Sequence, residues 1–547
     1  MDFKAEEFKK YKSGLILTLC TWGLYFLYIC PKMLFLTDKG IETGLAYVWA
    51  DWPVHIAQAI RFAYHEPSSW FTATPFYYDH RMTQHFVVNL ISAILMRMGV
   101  SLINAFVIPS IILTIVLLVV LYTFFFQFFK SKFQAFFSVT LFLANGGLGI
   151  IVFINDVLKN GFIKTLSFPP QSYTNLQLPD SHTPCQNFII SELLPQRAFL
   201  LGLPIALILI MVLQHWIKNN FNNTSNLHLI LFGLMTGCMF AIHAFSFITL
   251  VILGFVLILY TKKYYEKWIL IVLGVCLSFG FIYFYVFGGQ IESKSFIRWH
   301  LGWMSHSKNI LDFISFWIIN WGAMLPLAVY STIEYKRYKE PIILWGWAIF
   351  LISNLFLVAP WDWDNYKLLT WSYLVFCIPV ISLLSYWWNK KDILIRISVV
   401  VLFLSMTGAG FVDIYKITKT EKLKYTIWNN DEIKLADEFR KISLSNDRVL
   451  TADIHNHWVS CLSGRQIVMG FTGQIWSWGI DVGNTPQDVK NMYSGTESSK
   501  QLMKQYKISY IVIGPQEQSK FHPDENFFLE NYKLVLQRGA YKVFKVT

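Results

Sequence analysis

The run GLILTLCTWGLYFLYICPKMLFL, from Gly14 to Leu36, decides how the rest of the chain is read. A bilayer core about 30 Å thick takes roughly 20 apolar residues per helical span, and this run is long enough. Lys4, Lys9, Lys10 and Lys12 precede it. It exceeds the apolar region of a signal peptide, and no small-residue cleavage site follows. The expectation is an uncleaved first span with a cytoplasmic N-terminus.

Working outward, further spans are expected near 103–129, 133–154, 197–217, 228–243, 246–261, 267–287, 310–332, 341–359, 368–388 and 393–413, about eleven in all. The stretch 86–99 is shorter and reads as re-entrant. Composition agrees: of 547 residues, 54% are hydrophobic, 17% aromatic and only 15% charged, against about 25% charged in soluble domains. The same figures exclude a disordered chain, and seven cysteines are too sparse for a disulfide scaffold. The net charge of +12 is read as cytoplasmic-loop charge rather than a nucleic-acid footprint. Lys130/Lys132, Lys218, Lys262/Lys263/Lys267, Lys336/Arg337/Lys339 and Lys390/Lys391 all follow even-numbered spans. With the N-terminus inside, every cluster falls in the cytoplasm.

The long segments 37–85, 155–195 and 289–308, the short Pro360–Lys367 and the tail then share the outer face. The expected division is 1–414, a membrane domain with the long first loop 37–85, and 415–547, a small extracytoplasmic α/β domain. In the tail, Asn429–Glu432 reads as a helix cap, and Thr485-Pro486 opens a second helix with Thr485 as its cap. Strands are expected at Arg448–Thr451, Gln466–Met469 and Ile508–Gly514, with a terminal hairpin over Lys533–Val546.

Chemistry-bearing residues gather on that outer face. Asp51 reads as the N-cap of an amphipathic helix whose stripe is Trp52, Ile56, Ala59, Ile60 and Ala63. Such a helix lies along the membrane surface, with Asp51 and His55 one turn apart. Capping by Asp51 and a solvated His55 explain the pair equally simply. Asp79-His80 is a second Asp/His pair, suited to a metal, a phosphate or a plain juxtamembrane turn. Trp361-Asp362-Trp363-Asp364-Asn365-Tyr366-Lys367 puts carboxylates, an amide and an ammonium at a membrane boundary, which is costly unless used. Arg197, preceded by Gln196, either snorkels or clamps an anionic head group. His455-Asn456-His457 has weak metal-ligand spacing, Arg465 and Asp481 could pair, and Cys185 and Cys461 are the cysteines expected outside.

This plan resembles the GT-C superfamily of integral membrane glycosyltransferases, and a group of prokaryotic membrane proteins of that type. The resemblance rests on the single span before a long outer loop, Asp51 ahead of an amphipathic helix, Pro195-Gln196-Arg197, Pro360–Lys367 and the extracytoplasmic α/β tail. It implies transfer of a sugar from a polyprenyl-phosphate-linked donor to a glycan, lipid or protein acceptor of the cell envelope, at the outer face of the plasma (inner) membrane. Asp51 becomes the candidate base or metal ligand, supported by His55, Asp79 and His80. Arg197 and Lys367 become candidates for the phosphate, with Gln196, Trp361, Asp362, Asp364 and Asn365 lining the substrate site. A divalent cation, Mg or Mn, on Asp51 and Asp364 is the cofactor to test. Many GT-C enzymes carry two adjacent acids in the first loop, whereas Asp51 is followed by Trp52. The rival is a non-catalytic transporter or assembly factor for envelope polysaccharide. It should place charge deep in the spans and show inverted repeats; here the charge sits at the outer edge.

Overall fold

The computed structural model describes residues 5–178, 181–290, 296–307 and 309–546. Lys4 and parts of the expected segments 155–195 and 289–308 lie outside the described residues. Contacts divide the chain into two compact units.

The first unit comprises Met1–Pro31, Ser110–Phe279 and Ser295–Leu423 and is built from apolar helices. Six described helices are long and apolar enough to cross a membrane: Ala5–Lys32, Leu102–Phe129, Arg197–Lys218, Lys262–Val286, Asp362–Trp388 and Ile393–Lys416. Ile310–Trp321 and Met324–Glu334 would form a seventh span, bent by 107° where Gly322 adopts φ +61°. The remaining expected spans correspond to shorter apolar helices: Lys132–Leu143, Asn226–Ile242, Ala244–Tyr260 and Pro341–Leu355. The helix Asp362–Trp388 is the central one, with 89% of its apolar window buried.

The expected span 133–154 is not continuous. Its helix stops at Leu143 and a second begins at Gly149. The break lets backbones approach closely, as small residues permit between membrane helices. A Cβ on Gly147 would lie 2.2 Å from the Ile319 carbonyl oxygen, and one on Gly410 would lie 2.1 Å from that of Ala144.

The second unit comprises Lys32–Pro109, Gly280–Lys294 and Lys424–Thr547. The first long loop therefore clusters with the tail. The strands Phe35–Thr37, Gly40–Thr43 and Tyr425–Asn429 form an antiparallel sheet in that order. The five-stranded sheet runs Lys533–Arg538, Tyr541–Lys545, Tyr510–Ile513, Arg448–Leu450, Gln466–Ile467. Its last three strands are parallel to one another and the terminal hairpin antiparallel, close to the strands expected from sequence. Residues 75–78 extend that edge: the Ile467 amide donates to the Pro75 carbonyl and the Tyr78 amide to the Val468 carbonyl, each at 3.1 Å.

Asn429 and Glu432 form the expected capping box ahead of the helix Asn430–Ile442. The helix Thr485–Met492 starts one residue earlier than expected, after Asn484. The Thr485 hydroxyl instead meets the Tyr77 hydroxyl at 3.0 Å.

Candidate functional site

At one end of the helical unit, three helix starts converge. Arg197 opens Arg197–Lys218 and is fully buried, with its Nε 3.4 Å from the Ser110 hydroxyl. The Phe199 ring packs on the His243 imidazole at 4.9 Å, and a Cβ on Gly202 would lie 2.6 Å from the Cβ of His243. His243 is buried and caps the helix Ala244–Tyr260: the Ser246 amide donates to its Nδ1 at 3.1 Å. An N–H can only donate, so Nδ1 accepts and the neutral ring carries its proton on Nε2. Two residues on, the Phe245 ring lies 5.2 Å from the Lys367 ammonium, a cation–π contact. Lys367 stands in the first turn of Tyr366–Trp388.

The segment Pro360–Lys367 separates into two roles. Lys367 donates to Asp364 Oδ1 at 2.9 Å, both side chains being 17% exposed. Asp362 pairs with Arg298, and both of these are half exposed. Asn365 is wholly buried and bonds only backbone. It accepts from the Val358 amide at 3.0 Å and donates to the carbonyls of Ser353 at 2.9 Å and Phe356 at 2.6 Å. Its geometry is that of a loop staple, not a substrate ligand. Gln196 sits at the N-cap of the Arg197 helix without a capping bond from its side chain.

A buried polar chain that sequence reasoning missed supports this end of the unit. Asp413 accepts from the Ser172 hydroxyl at 2.7 Å, the Thr174 hydroxyl at 2.6 Å and the amides of Tyr173 and Thr174, each at 2.8 Å. The Asn187 amide donates to Thr174 Oγ1 at 3.0 Å. The Asn187 side chain donates to the Asn145 carbonyl at 3.0 Å. Asn145 in turn donates to the Tyr366 hydroxyl at 3.1 Å, which donates to the Gln186 carbonyl at 2.7 Å. The chain thus ends at the residue preceding Lys367. His243 was also missed, although a lone histidine between two apolar runs was a legible signal.

In the second unit, Asp51 is the first residue of Asp51–Tyr64, half-buried, and Ala50 holds the cap position without a side-chain bond. The expected Asp51 N-cap is therefore not formed. Nor does the helix have a wet face at His55: that ring is 6% exposed. The Asn89 amide nitrogen donates to His55 Nδ1 at 3.0 Å and to Gln58 Oε1 at 2.7 Å. The helix Val87–Arg97, from the stretch expected to be re-entrant, and the turn Val459–Ser463 cover it. Asp79, at φ +52°, accepts from Arg448 at 2.8 Å, and His80 packs on Tyr77 at 5.2 Å. Both belong to the loop that extends the tail's sheet.

The tail's histidines part company. His455 is sandwiched between Phe471 at 3.9 Å and Trp49 at 5.6 Å, and burial lowers its pKa. His457 pairs with Glu517 at 3.0 Å. Arg465 does not pair with Asp481, which is exposed. It donates instead to the Ser443 hydroxyl and to the carbonyls of Ser443, Arg440 and Ser463. Burial, aided by Arg440, pulls its guanidinium down to about 10. Cys185 and Cys461 are both buried free thiols.

For a divalent cation, the donor set does not fit. Among the described residues no three His, Cys, Asp or Glu side chains cluster as ligands, and Asp364 already holds an ammonium.

No family model matches the sequence, and no curated protein does. Solved structures do. The apo oligosaccharyltransferase of Archaeoglobus fulgidus superposes with a TM-score of 0.53 at 11% identity, over 93% of this chain and 70% of that one. The archaeal oligosaccharyltransferase AglB from the same organism, in complex with an inhibitory peptide and a dolichol-phosphate, superposes at 0.52 with 10% identity, over 93% and 70%. The form tethered to an acceptor peptide containing the NVT sequon gives 0.50 and 11%, over 96% and 72%. The chain thus shares the fold of these archaeal oligosaccharyltransferases.

Proposed function

We propose that the protein is a membrane glycosyltransferase that moves a sugar from a polyprenyl-phosphate-linked donor to an envelope acceptor at the outer membrane face. We read its helices as about eleven spans with a cytoplasmic N-terminus, and residues 415–547 as an extracytoplasmic α/β domain. The observation that carries the reading is that Lys367 and the start of the helix opened by the buried Arg197 both meet the turn His243–Phe245 at one end of the bundle. Two cations held in a dry setting suit a leaving group that departs as a lipid phosphate. The fold shared with a protein seen with dolichol-phosphate supports that donor class.

In the reaction, an acceptor oxygen attacks the anomeric carbon. The bond from that carbon to the phosphate oxygen breaks, and the electron pair leaves with the phosphate. Arg197 and Lys367 neutralise its charge, and the acceptor proton passes to a general base. No step is routed through a metal. The sequence's candidate for that base is Asp51, which begins a helix with His55 one turn later, the latter held by Asn89.

The test compares lipid extracts from cells with and without the protein by mass spectrometry, followed by transfer assays with purified protein and polyprenyl-phosphate sugars. A glycosylated species should vanish with the protein, and Asp51→Asn should abolish transfer with expression and fold intact. An unchanged lipid and glycan profile would instead support the non-catalytic assembly factor.

A further inference from the structure

Outside the cationic cluster, the same unit carries an exposed aromatic surface that the proposed reaction does not use. The indoles of Trp361 and Trp363 stack face to face, with centroids 4.9 Å apart and planes within 7°. Trp363 is 54% exposed, so one broad indole face is offered outward. Arg298 donates to Asp362 between them in sequence and to the Pro360 carbonyl. The side chains of Arg298 and Asp362 are 45% and 48% exposed. Trp299, 65% exposed, follows Arg298 on a short strand, Arg298–Trp299, paired with Phe356–Leu357. The Trp303 indole donates to the Asp362 carbonyl at 2.7 Å and fixes the loop from below.

We infer that Trp361 and Trp363, with the Arg298–Asp362 pair, form a binding platform for neutral sugar rings. The inference deepens the proposed reaction and rests on it in one respect, that the substrate handled at this end of the bundle is a glycan. A sugar's axial C–H bonds carry partial positive charge and match the negative face of an indole. Its hydroxyls both donate and accept, which is what an exposed guanidinium–carboxylate pair offers at the platform's edge. Tryptophans also anchor proteins at lipid interfaces, but this patch suits a membrane poorly. An exposed carboxylate beside the indoles is unfavourable near lipid. Anionic head groups are drawn by an excess of cations, and here the platform's cation, Arg298, has its own acid in Asp362. Electroneutrality together with flat apolar area fits an uncharged glycan.

The experiment uses the full chain purified in detergent and an array of chitotetraose, cellotetraose, mannotetraose and maltotetraose. The wild-type protein is expected to retain at least one of these. Trp363→Ala should bind it roughly tenfold more weakly, while Trp363→Phe keeps most of the binding. Retention of none of the four glycans, or equal retention by Trp363→Ala, overturns the platform. A second arm places wild type and Trp363→Phe in nanodiscs of phosphatidylcholine brominated on its acyl chains. Equal fractional quenching is expected, and stronger quenching of the wild type puts this indole in lipid and overturns the inference. If Trp363-dependent glycan binding persists while no donor is consumed, the proposed reaction falls and the platform stands. Transfer that is indifferent to Trp363, with no glycan binding, gives the reverse.

Discussion

His457 Nε2 lies 3.0 Å from Glu517 Oε1, with both side chains essentially inaccessible to solvent. The carboxylate is fully satisfied: Oε1 also accepts from the Ala452 amide at 2.7 Å, and Oε2 accepts from the Gly514 amide at 2.9 Å. Burial alone would raise its pKa, but the His457 bond and charge, with the amides, hold it below the usual carboxylate value. A depressed carboxyl stabilises the fold above its unfolded pKa, near 4.5, and loses that contribution as pH falls through the lower folded value. Glu517→Gln should therefore destabilise the tail by about 3–5 kcal/mol near neutrality, as breaking a buried pair does. The deficit should shrink below roughly pH 4. Denaturant unfolding followed by tail-specific hydrogen exchange checks this, and a deficit independent of pH would show that Glu517 is not held as a carboxylate.

Cys461 is buried beside the Ser460 hydroxyl, and burial pushes its thiol well above the ordinary value. The thiolate is the reactive species. Cys461 should therefore resist maleimide in intact cells even if the tail faces outward, and should react only on unfolding. Ser498→Cys, on an exposed helix position, gives the informative probe. Labelling of Ser498→Cys by a membrane-impermeant maleimide, in a background lacking the native cysteines, is the outcome expected for an extracytoplasmic tail. Protection of that residue until the cells are permeabilised would invert the topology.

Much of this architecture was legible because its causes are local. The run Gly14–Leu36 and the tail's capping box at Asn429 each depend on residues near in sequence. What failed depends on distant cover. The helix Asp51–Tyr64 shows one apolar stripe, so its other side was read as wet. Gln58 and His55 are nonetheless buried, because Val87–Arg97 and the tail enclose it. Arg465 was matched to Asp481 by charge, yet its partners are a hydroxyl and three carbonyls, which no spacing rule reveals. The break after Leu143 followed from Gly146-Gly147, tolerated in membrane helices but here serving a close backbone approach. Among the candidate residues, types were readable and partners were not. Lys367 was seen as a cation, whereas its bond to Asp364 emerges only from the fold.

That bond separates two neighbouring substitutions. Lys367→Ala should weaken donor binding by about 1.5–3 kcal/mol through loss of a charge-assisted contact, with stability little changed. Asn365→Ala should do the opposite. It strips partners from the Val358 amide and from the Ser353 and Phe356 carbonyls, costing about 1–3 kcal/mol of stability. Donor KM at a temperature well below the transition should move only for Lys367→Ala. Thermal unfolding in detergent should move mainly for Asn365→Ala. The reverse pattern would make Lys367 the structural residue and Asn365 the donor ligand.

The Asn89 amide nitrogen has two hydrogens and uses them on His55 Nδ1 and Gln58 Oε1. His55 must then carry its neutral proton on Nε2, one turn from Asp51. Asn89→Asp replaces that donor with an acceptor, which favours a proton on Nδ1 and stabilises the charged ring. If His55 positions or assists Asp51, the acid limb of the transfer pH profile should rise by about one unit in Asn89→Asp. Asn89→Leu removes the bond without adding charge, so it should lower activity with no comparable rise of that limb. Stability of all three proteins is measured alongside by thermal unfolding. A profile for Asn89→Asp that overlays the wild type, in a protein that still folds and turns over, would leave His55 with a packing role alone.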